Sequence, residues 1–149
     1  MERRDFIKHA GIAGILAAGV APAAHAQGAT IRWRLASSFP KALDTIFGAA
    51  DVFAKKVNEA SGGKFTISVH AGGEIMPPFG VVDGVQQGTV ECAHTAPYYF
   101  FGKDDTFAID CAIPFGLNSR QMTGWMYEGN GMKLLRECYA GYNSVNFKM

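Results

Sequence analysis

The sequence predicts an α/β fold in which helices flank a mainly parallel β-sheet. Residues 30–37 and 65–70 alternate apolar and polar side chains with the period of two that is typical of strands. Between them, residues 41–60 repeat apolar positions every three or four residues, as an amphipathic helix does. Strands that alternate with helices over connections of this length favour a parallel sheet with helical crossovers.

Each predicted element has a recognisable end. Pro40 ends the first strand because proline cannot extend the ladder of hydrogen bonds. Gly62 and Gly63 stop the helix. A loop rich in glycine and proline follows the second strand over residues 71–78, and it leads into a short helix up to Gln87. The third strand is predicted over residues 89–95.

The C-terminal third begins with residues 106–117, which are apolar and contain a proline, so that both a strand and a loop fit. Asn118 with a glutamine three residues later predicts a capping box and a helix over about residues 118–128. An apolar stripe over residues 132–141 predicts another helix. Residues 142–147 predict a last strand.

The first 26 residues have the order of features found in an export signal. Arg3 and Arg4 precede a modestly apolar run, and Ala24 and Ala26 form a small-residue cleavage site. This order indicates a cleavable signal peptide, and the paired arginines indicate the twin-arginine route. A membrane anchor is the alternative, but the run is too short and too rich in alanine and glycine to span about 30 Å of hydrocarbon. We expect a periplasmic protein of residues 27–149.

The charge and cysteine content narrow the function classes. Removing residues 1–26 takes away three of the 14 basic residues and two of the 13 acidic ones, which leaves 11 of each. A neutral chain does not favour a nucleic acid or an anionic membrane as partner. Cys92, Cys111 and Cys138 lack zinc-site spacing and are expected to be small buried residues with at most one disulfide. No phosphate-loop or calcium-loop pattern predicts a cofactor.

Candidate ligand-binding residues lie where two predicted strands end. The first strand is followed by Ser37, Ser38 and Phe39, and the third by Pro97 and the aromatic run 98–101. The carboxyl ends of parallel strands share one edge of a sheet, and open α/β folds bind ligands at that edge. We therefore expect both stretches to face one cleft.

Tyr98 and Tyr99 are the candidates within the aromatic run. Their hydroxyls need hydrogen-bond partners, whereas Phe100 and Phe101 fit the core better because phenylalanine near a strand end usually buries itself. Alternation along a strand would send Tyr98 and Tyr99 to opposite sides, so that at most one of them faces the cleft.

A small periplasmic enzyme is the alternative hypothesis. His94 lies two residues from Cys92, on the same face of the predicted strand, and three residues from Glu91. The pattern supplies neither a third orienting group nor an oxyanion site, and a lone strand histidine is more often packed than catalytic. The pattern therefore favours binding over catalysis.

Several spaced blocks carry a family resemblance. They are WRLASSFPKALDTIFGAAxxFAKKV, GKFTISVHAGGEI, GVQQGTVECAHTAPYYFFGKD and AIPFGLNSRQMTGWMYEGNG. Taken together and in this order, they resemble the DctP-type periplasmic solute-binding proteins of TRAP (tripartite ATP-independent periplasmic) transporters. The similarity is greatest to the branch that binds 2-oxo acids and related organic carboxylates, and it runs from about Ile31 to Phe147.

The resemblance implies a two-lobed α/β binding protein that closes over a small organic carboxylate and presents it to the TRAP membrane subunits. It also implies that the ligand-binding residues include Ser37, Ser38, Phe39, Tyr98 and Tyr99. These five positions match the family's rim after the first strand and its tyrosine-rich segment.

Family members are much longer than this chain, so we expect residues 27–149 to form the N-terminal lobe, truncated before the second lobe. The resemblance places the arginine that pairs with the carboxylate, and the cation ligands of some members, beyond Met149. Arg120 lies in a predicted first helical turn and is not expected to replace that arginine. We therefore expect impaired binding and no cofactor in this chain, with a non-functional fragment as a further alternative.

Overall fold

The computed structural model describes residues 30–147, and in this part of the chain three strands form one sheet. The strands are β1 (Ile31–Ser37), β2 (Phe65–His70) and β3 (Cys92–His94). All pairs are parallel and β1 is central, in the order β2-β1-β3. The predicted parallel sheet is therefore confirmed, although β3 is shorter than the predicted 89–95.

One face of the sheet packs against helix α1 (Asp44–Ala60). Leu35 of β1 and Ile67 of β2 point to this face, where they meet Ala50 and Ala54 of the helix. Small alanines let the helix approach the sheet closely, and the four side chains are at most 8% exposed. The predicted amphipathic helix is confirmed, with its first residue at 44 rather than 41.

The other face carries the second core cluster. Ala36 follows Leu35 in β1 and therefore points the opposite way, toward helix α2 (Val81–Gln86). Phe100 and Phe107 complete this cluster and are 3% and 1% exposed. The core position predicted for Phe100 is confirmed. The sheet is thus covered on both faces, as parallel sheets require.

The run after β3 is a short 3-10 helix, Pro97–Phe100, and not a continuation of the strand. Its period is close to three, so neighbouring side chains no longer alternate between two sides. Phe101 consequently lies 53% exposed, and its predicted place in the core is wrong. Two other 3-10 helices are present in residues 30–147: Pro78–Gly80 lies before α2, and Asp105–Ala108 opens the apolar segment, which then continues as a loop.

Two helices of ten residues each, α3 (Ser119–Glu128) and α4 (Gly131–Ala140), form a hairpin. The predicted capping box is present: the Gln121 N–H donates to Asn118 Oδ1 at 3.0 Å, and the Asn118 N–H donates to Gln121 Oε1 at 3.1 Å. Met122, Met126 and Leu135 form the core of the hairpin. In residues 30–147, no helix is long and apolar enough to cross a membrane.

The last predicted strand, residues 142–147, is wrong. The Tyr142 N–H donates to the Tyr139 carbonyl at 2.9 Å, and the Ser144 N–H donates to the same carbonyl at 3.1 Å. Asn143 has a positive φ of 49°, which asparagine tolerates better than most residues. The backbone therefore turns back onto α4 instead of joining the sheet.

The cysteine prediction is also wrong in part. Cys111 is exposed, whereas Cys92 and Cys138 are half-buried, so that none of the three is a fully buried core residue.

Arg34 of β1 holds the segment before β3. Its Nε and Nη2 donate to Glu91 Oε2 and Oε1 at 3.0 and 2.7 Å, and its backbone N–H donates to Oε2 at 2.6 Å. These bonds to Arg34 lower the pKa of Glu91 from 4.5 to about 2. Bidentate pairs of this kind are stronger than single-contact ion pairs.

We expect Glu91→Gln to destabilise the fold at neutral pH by on the order of 1 kcal/mol, a figure discounted for solvent screening. Because the folded-state pKa is lowered, the stabilisation is present above pH 4.5 and is lost as the pH falls toward 2. Urea unfolding at a series of pH values should show the difference from wild type shrinking across this window. Glu59→Gln, which removes an exposed pair with Lys56 on α1, is the control; a pH-independent difference for Glu91 would contradict the assignment.

Candidate functional site

The connections of the sheet place a crevice at the carboxyl ends of β1 and β3. From β1 the chain crosses to β2 on one side, and from β2 it crosses to β3 on the other side. The loops that leave the two ends therefore diverge, and such a switch point is where open α/β sheets bind ligands. Ser37, the last residue of β1, is paired in register with His94, the last residue of β3.

Ser37 lies beneath this edge and is 2% exposed. Its Oγ accepts the Phe39 N–H at 3.0 Å and lies 3.3 Å from His94 Nδ1. Burial lowers the pKa of His94, so the ring is neutral at physiological pH. Because Oγ accepts from the backbone, its own hydrogen is available to donate to Nδ1.

Ser38 is buried in the same way and is 8% exposed. Its hydroxyl donates to the Pro78 carbonyl at 2.6 Å, and Ser38 Oγ also lies 2.6 Å from Thr95 Oγ1. A serine has one hydrogen to give, so Thr95 is the donor in the second contact. Ser38 therefore connects the loop after β2 to the ends of both β1 and β3.

Four aromatic side chains, which we call the aromatic rim, lie above these serines: Phe39, Phe79, Tyr98 and Tyr99. Tyr99 contacts the other three, with ring centroids 6.1 Å from Phe39, 5.4 Å from Phe79 and 4.8 Å from Tyr98. Phe39 is 7% exposed, whereas Phe79, Tyr98 and Tyr99 are 65%, 41% and 38% exposed. Three large aromatic side chains are thus left open to solvent at the crevice.

The aromatic rim corrects one prediction and adds one residue. Tyr98 and Tyr99 touch each other and do not point to opposite sides, because they belong to the 3-10 helix. Burial and a hydrogen bond with Tyr99 raise the pKa of Tyr98. Phe79 was missed by sequence reasoning. Its only signal is an exposed aromatic residue directly after Pro77 and Pro78, in the loop that follows a strand.

The charges near the crevice are already paired. Lys41, two residues after Phe39, lies with its Nζ 2.6 Å from Glu74 Oε1. Glu74 Oε2 accepts the Ala71 N–H at 2.9 Å and lies 3.9 Å from His70 Nδ1. The hydrogen bond to Lys41 is the largest cause that lowers the pKa of Glu74. Lys41 is therefore occupied by a carboxylate of the protein. Arg120 lies in the first turn of α3, as predicted.

The residues of the enzyme hypothesis are not joined into a catalytic arrangement. Cys92 Sγ donates to the Arg34 carbonyl at 3.7 Å, and burial raises the pKa of this thiol to about 11. Both carboxylate oxygens of Glu91 are held by Arg34. His94 instead contacts Ser37 and the ring of Phe39, whose centroid is 5.0 Å away.

Two open grooves lie away from the aromatic rim. One, of about 360 Å³, borders the α3–α4 hairpin, and the other, of about 290 Å³, is formed by the loop 109–117 and α3. Within residues 30–147 no group of three or more histidine, cysteine, aspartate or glutamate side chains could hold a metal ion. The aromatic rim therefore remains the candidate site.

A parallel sheet with helices on both faces and a crevice at the switch point is the open α/β architecture to which periplasmic-binding-protein lobes belong. Residues 36–148 match the model of the family described as bacterial extracellular solute-binding protein, family 7 (DctP). The chain belongs to this family, which confirms the resemblance found in the sequence.

Relatives with known names agree with this assignment. The chain is 40% identical over 153 residues to the monocarboxylate 2-oxoacid-binding periplasmic protein of Nostoc sp., and the match covers 99% of this chain and 42% of the relative. A TRAP transporter solute-binding protein of Bordetella bronchiseptica, with calcium and picolinate in its active site, is 44% identical with a TM-score of 0.76. That match covers 78% of this chain and 35% of the other.

A TRAP periplasmic solute-binding protein of Pseudoalteromonas atlantica, with bound sodium and pyruvate, is 35% identical. Its TM-score is 0.71, and the match covers 76% of this chain and 34% of the other. The chain thus spans less than half the length of these relatives. The similarity confirms the predicted fold class, a binding-protein lobe with a parallel sheet and flanking helices.

Proposed function

We propose that the chain is part of the periplasmic solute-binding component of a TRAP transporter and captures a small organic carboxylate of the 2-oxo acid type. The observation that carries this proposal is the exposed Tyr98–Tyr99 pair at the carboxyl edge of the sheet, in a chain of the DctP family. The partners would be the transporter's membrane subunits. The 2-oxo acid named for the Nostoc relative and the pyruvate of the Pseudoalteromonas relative support this ligand class.

The residues at the aromatic rim would have different roles in holding the ligand. The hydroxyls of Tyr98 and Tyr99 can donate hydrogen bonds to carboxylate or keto oxygens. Tyr99 contacts the other three rings of the rim, so its hydroxyl is the one we assign to the ligand. Phe39 would close the wall on the side of β1. Ser37 and Ser38 stay predicted members of the site, and their buried hydroxyls act from below the rim.

The charge of the carboxylate needs a partner outside the described residues. Lys41 is already paired with Glu74, and a bidentate arginine is the strongest contact that such a site uses. The described residues contain no group of three or more histidine, cysteine, aspartate or glutamate side chains that could hold a cation, whereas two relatives contain calcium or sodium. We therefore propose that residues 30–147 supply one wall of the pocket and that binding by this chain alone is weak.

Residues 1–26, including Arg3, Arg4, Ala24 and Ala26, lie outside the described residues. Their sequence pattern supports export to the periplasm by the twin-arginine route, with cleavage after Ala26. The periplasmic name of the Nostoc relative agrees with that compartment.

A role in binding, without catalysis, is the second part of the proposal. A thiol whose pKa is about 11 is protonated at neutral pH, so Cys92 is a poor nucleophile. Glu91 is committed to Arg34 and is not free to act as a base. Neither Cys92 nor Glu91 is therefore free to act together with His94.

Pyruvate should bind the 149-residue chain only weakly, with a dissociation constant of about 1 mM or above. Tyr99→Phe keeps the ring contacts and removes one hydroxyl, so it should weaken binding a further threefold to tenfold or so. Ligand-observed NMR measures complexes of this strength, and Tyr127→Phe on α3 is the matched control. Micromolar binding by wild type would refute the one-wall proposal, and equal affinities for wild type and Tyr99→Phe would refute the role of Tyr99.

A further inference from the structure

The consecutive serines at the end of β1 each reach one ring of the aromatic rim. Ser37 accepts the backbone N–H of Phe39, and Ser38 donates to the carbonyl of Pro78, the residue before Phe79. Phe39 and Phe79 are two of the three rings that contact Tyr99. The position of an aromatic ring depends on the backbone that carries it. Ser37 therefore acts on the Phe39 ring through the Phe39 N–H, and Ser38 acts on the Phe79 ring through the Pro78 carbonyl.

Both serines are in turn fixed by β3. Ser37 Oγ lies 3.3 Å from His94 Nδ1, and Ser38 Oγ lies 2.6 Å from Thr95 Oγ1. These pairs are consecutive in the parallel register, which continues from β1 and β3 into the first residue beyond each strand. The Ser38 N–H also donates to the His94 carbonyl at 2.9 Å. The two hydroxyls are thus held where the hydrogen-bond ladder of β1 and β3 ends.

Near Phe79, the segment after β2 is joined to the end of β1 by two hydrogen bonds: from the Gly72 N–H to the Phe39 carbonyl, and from Ser38 to the Pro78 carbonyl. Phe79 is 65% exposed, so core packing does not hold its ring. The Ser38 hydroxyl bond to Pro78, at 2.6 Å, is a short contact between that loop and the sheet, and it is shielded from water because Ser38 is 8% exposed. Loss of the hydroxyl would leave the carbonyl of half-buried Pro78 without this donor.

The geometry assigns Ser37 and Ser38 as positioning residues that fix Phe39 and Phe79 against Tyr99, so that the rim is formed before any ligand arrives. Neither hydroxyl is available to a ligand, since each already has two partners. The positioning role stands on its own, and only its consequence for affinity rests on the proposed function.

The test is aromatic-ring NMR on the full chain without ligand. Wild type should show nuclear Overhauser effects between the rings of Phe79 and Tyr99. Ser38→Ala should shift the resonances of both rings and weaken these effects. Thr95→Val removes one bond to Ser38 but leaves the Ser38 bond to Pro78 in place, so it should shift them less. Ser37→Ala should move the resonances of Phe39 and His94 and leave Phe79 unchanged.

Thr123→Ala is the control for losing a hydroxyl hydrogen bond far from the aromatic rim, because it removes the bond to the Ser119 carbonyl on α3. Absence of Phe79–Tyr99 effects in wild type would overturn the proposal, even if a serine variant failed to fold. Unchanged ring resonances in Ser38→Ala and Ser37→Ala would overturn it as well.

A pyruvate titration separates this proposal from the proposed function. If wild type binds, Ser38→Ala should weaken binding about tenfold in parallel with the ring shifts. A loss of affinity with unmoved rings would identify Ser38 as a direct contact and overturn the positioning role. If wild type does not bind pyruvate, the proposed function fails while the ring resonances still decide the positioning role.

Discussion

Replacing Phe107 with alanine should lower the free energy of unfolding by about 3–5 kcal/mol. Phe107 is 1% exposed, and its ring contacts three others, with centroids 6.1 Å from Phe100, 5.4 Å from Tyr139 and 5.1 Å from Tyr142. The cost combines the lost transfer free energy with a cavity that the surrounding rings fill only in part. Domains are stable by about 5–15 kcal/mol, so this loss should be visible at once in urea unfolding followed by circular dichroism.

Phe115→Ala is the matched control because it deletes the same atoms from a ring that is 108% exposed. We expect a change within about 0.5 kcal/mol of wild type. Phe107 also connects the α4 end of the chain to the layer that carries the aromatic rim, through Tyr139 and Phe100. Equal losses for the two variants would show that this cluster does not stabilise the fold.

The parts of the fold that the sequence predicted are those with a local signal. The strands over residues 31–37 and 65–70 have a period of two, α1 has a period near 3.6, and α3 begins with its capping box. In each case the tertiary structure agrees with the local preference, because burial and periodicity select the same face. The parallel order then followed from the lengths of the connections.

The predictions were wrong where the local sequence pattern is compatible with two backbone conformations. Residues 142–147 have strand-like composition, but the positive φ of Asn143 turns the chain back onto α4. Residues 98–101 follow a strand, yet Pro97 opens a 3-10 helix and brings Tyr98 and Tyr99 together. In each segment a local backbone conformation determines the structure, and the periodicity of apolar residues does not reveal that conformation.

The sequence predicted which two chain segments form the candidate site, but it did not predict the contacts between their side chains. The end of β1 and the aromatic run were expected at one edge from the parallel topology, and Tyr99 does contact Phe39. The bonds that shape the edge join residues 57 positions apart, Ser37 to His94 and Ser38 to Thr95. Phe79 enters from a third segment, so its role depends on where the loop after β2 lies.

Gly72→Ala should destabilise the chain by about 1–3 kcal/mol and disturb the aromatic rim. A Cβ at this position would lie 2.8 Å from the Ser38 carbonyl oxygen and 3.4 Å from Pro78 Cγ. The first of these atoms is backbone, so the clash is relieved only if one segment moves. The Gly72 N–H also donates to the Phe39 carbonyl at 2.9 Å, which ties the loop to the end of β1. Urea unfolding gives the stability, and the ring resonances of Phe79 report the movement.

Gly48→Ala is the opposite case and serves as the control. A Cβ at Gly48, inside α1, would meet nothing within 4 Å. Alanine is a better helix former, so this variant should gain about 0.5–1 kcal/mol without moving the rings of the rim. If Gly72→Ala were as stable as Gly48→Ala and left Phe79 in place, the close approach of the loop to Ser38 would not be what positions the rim.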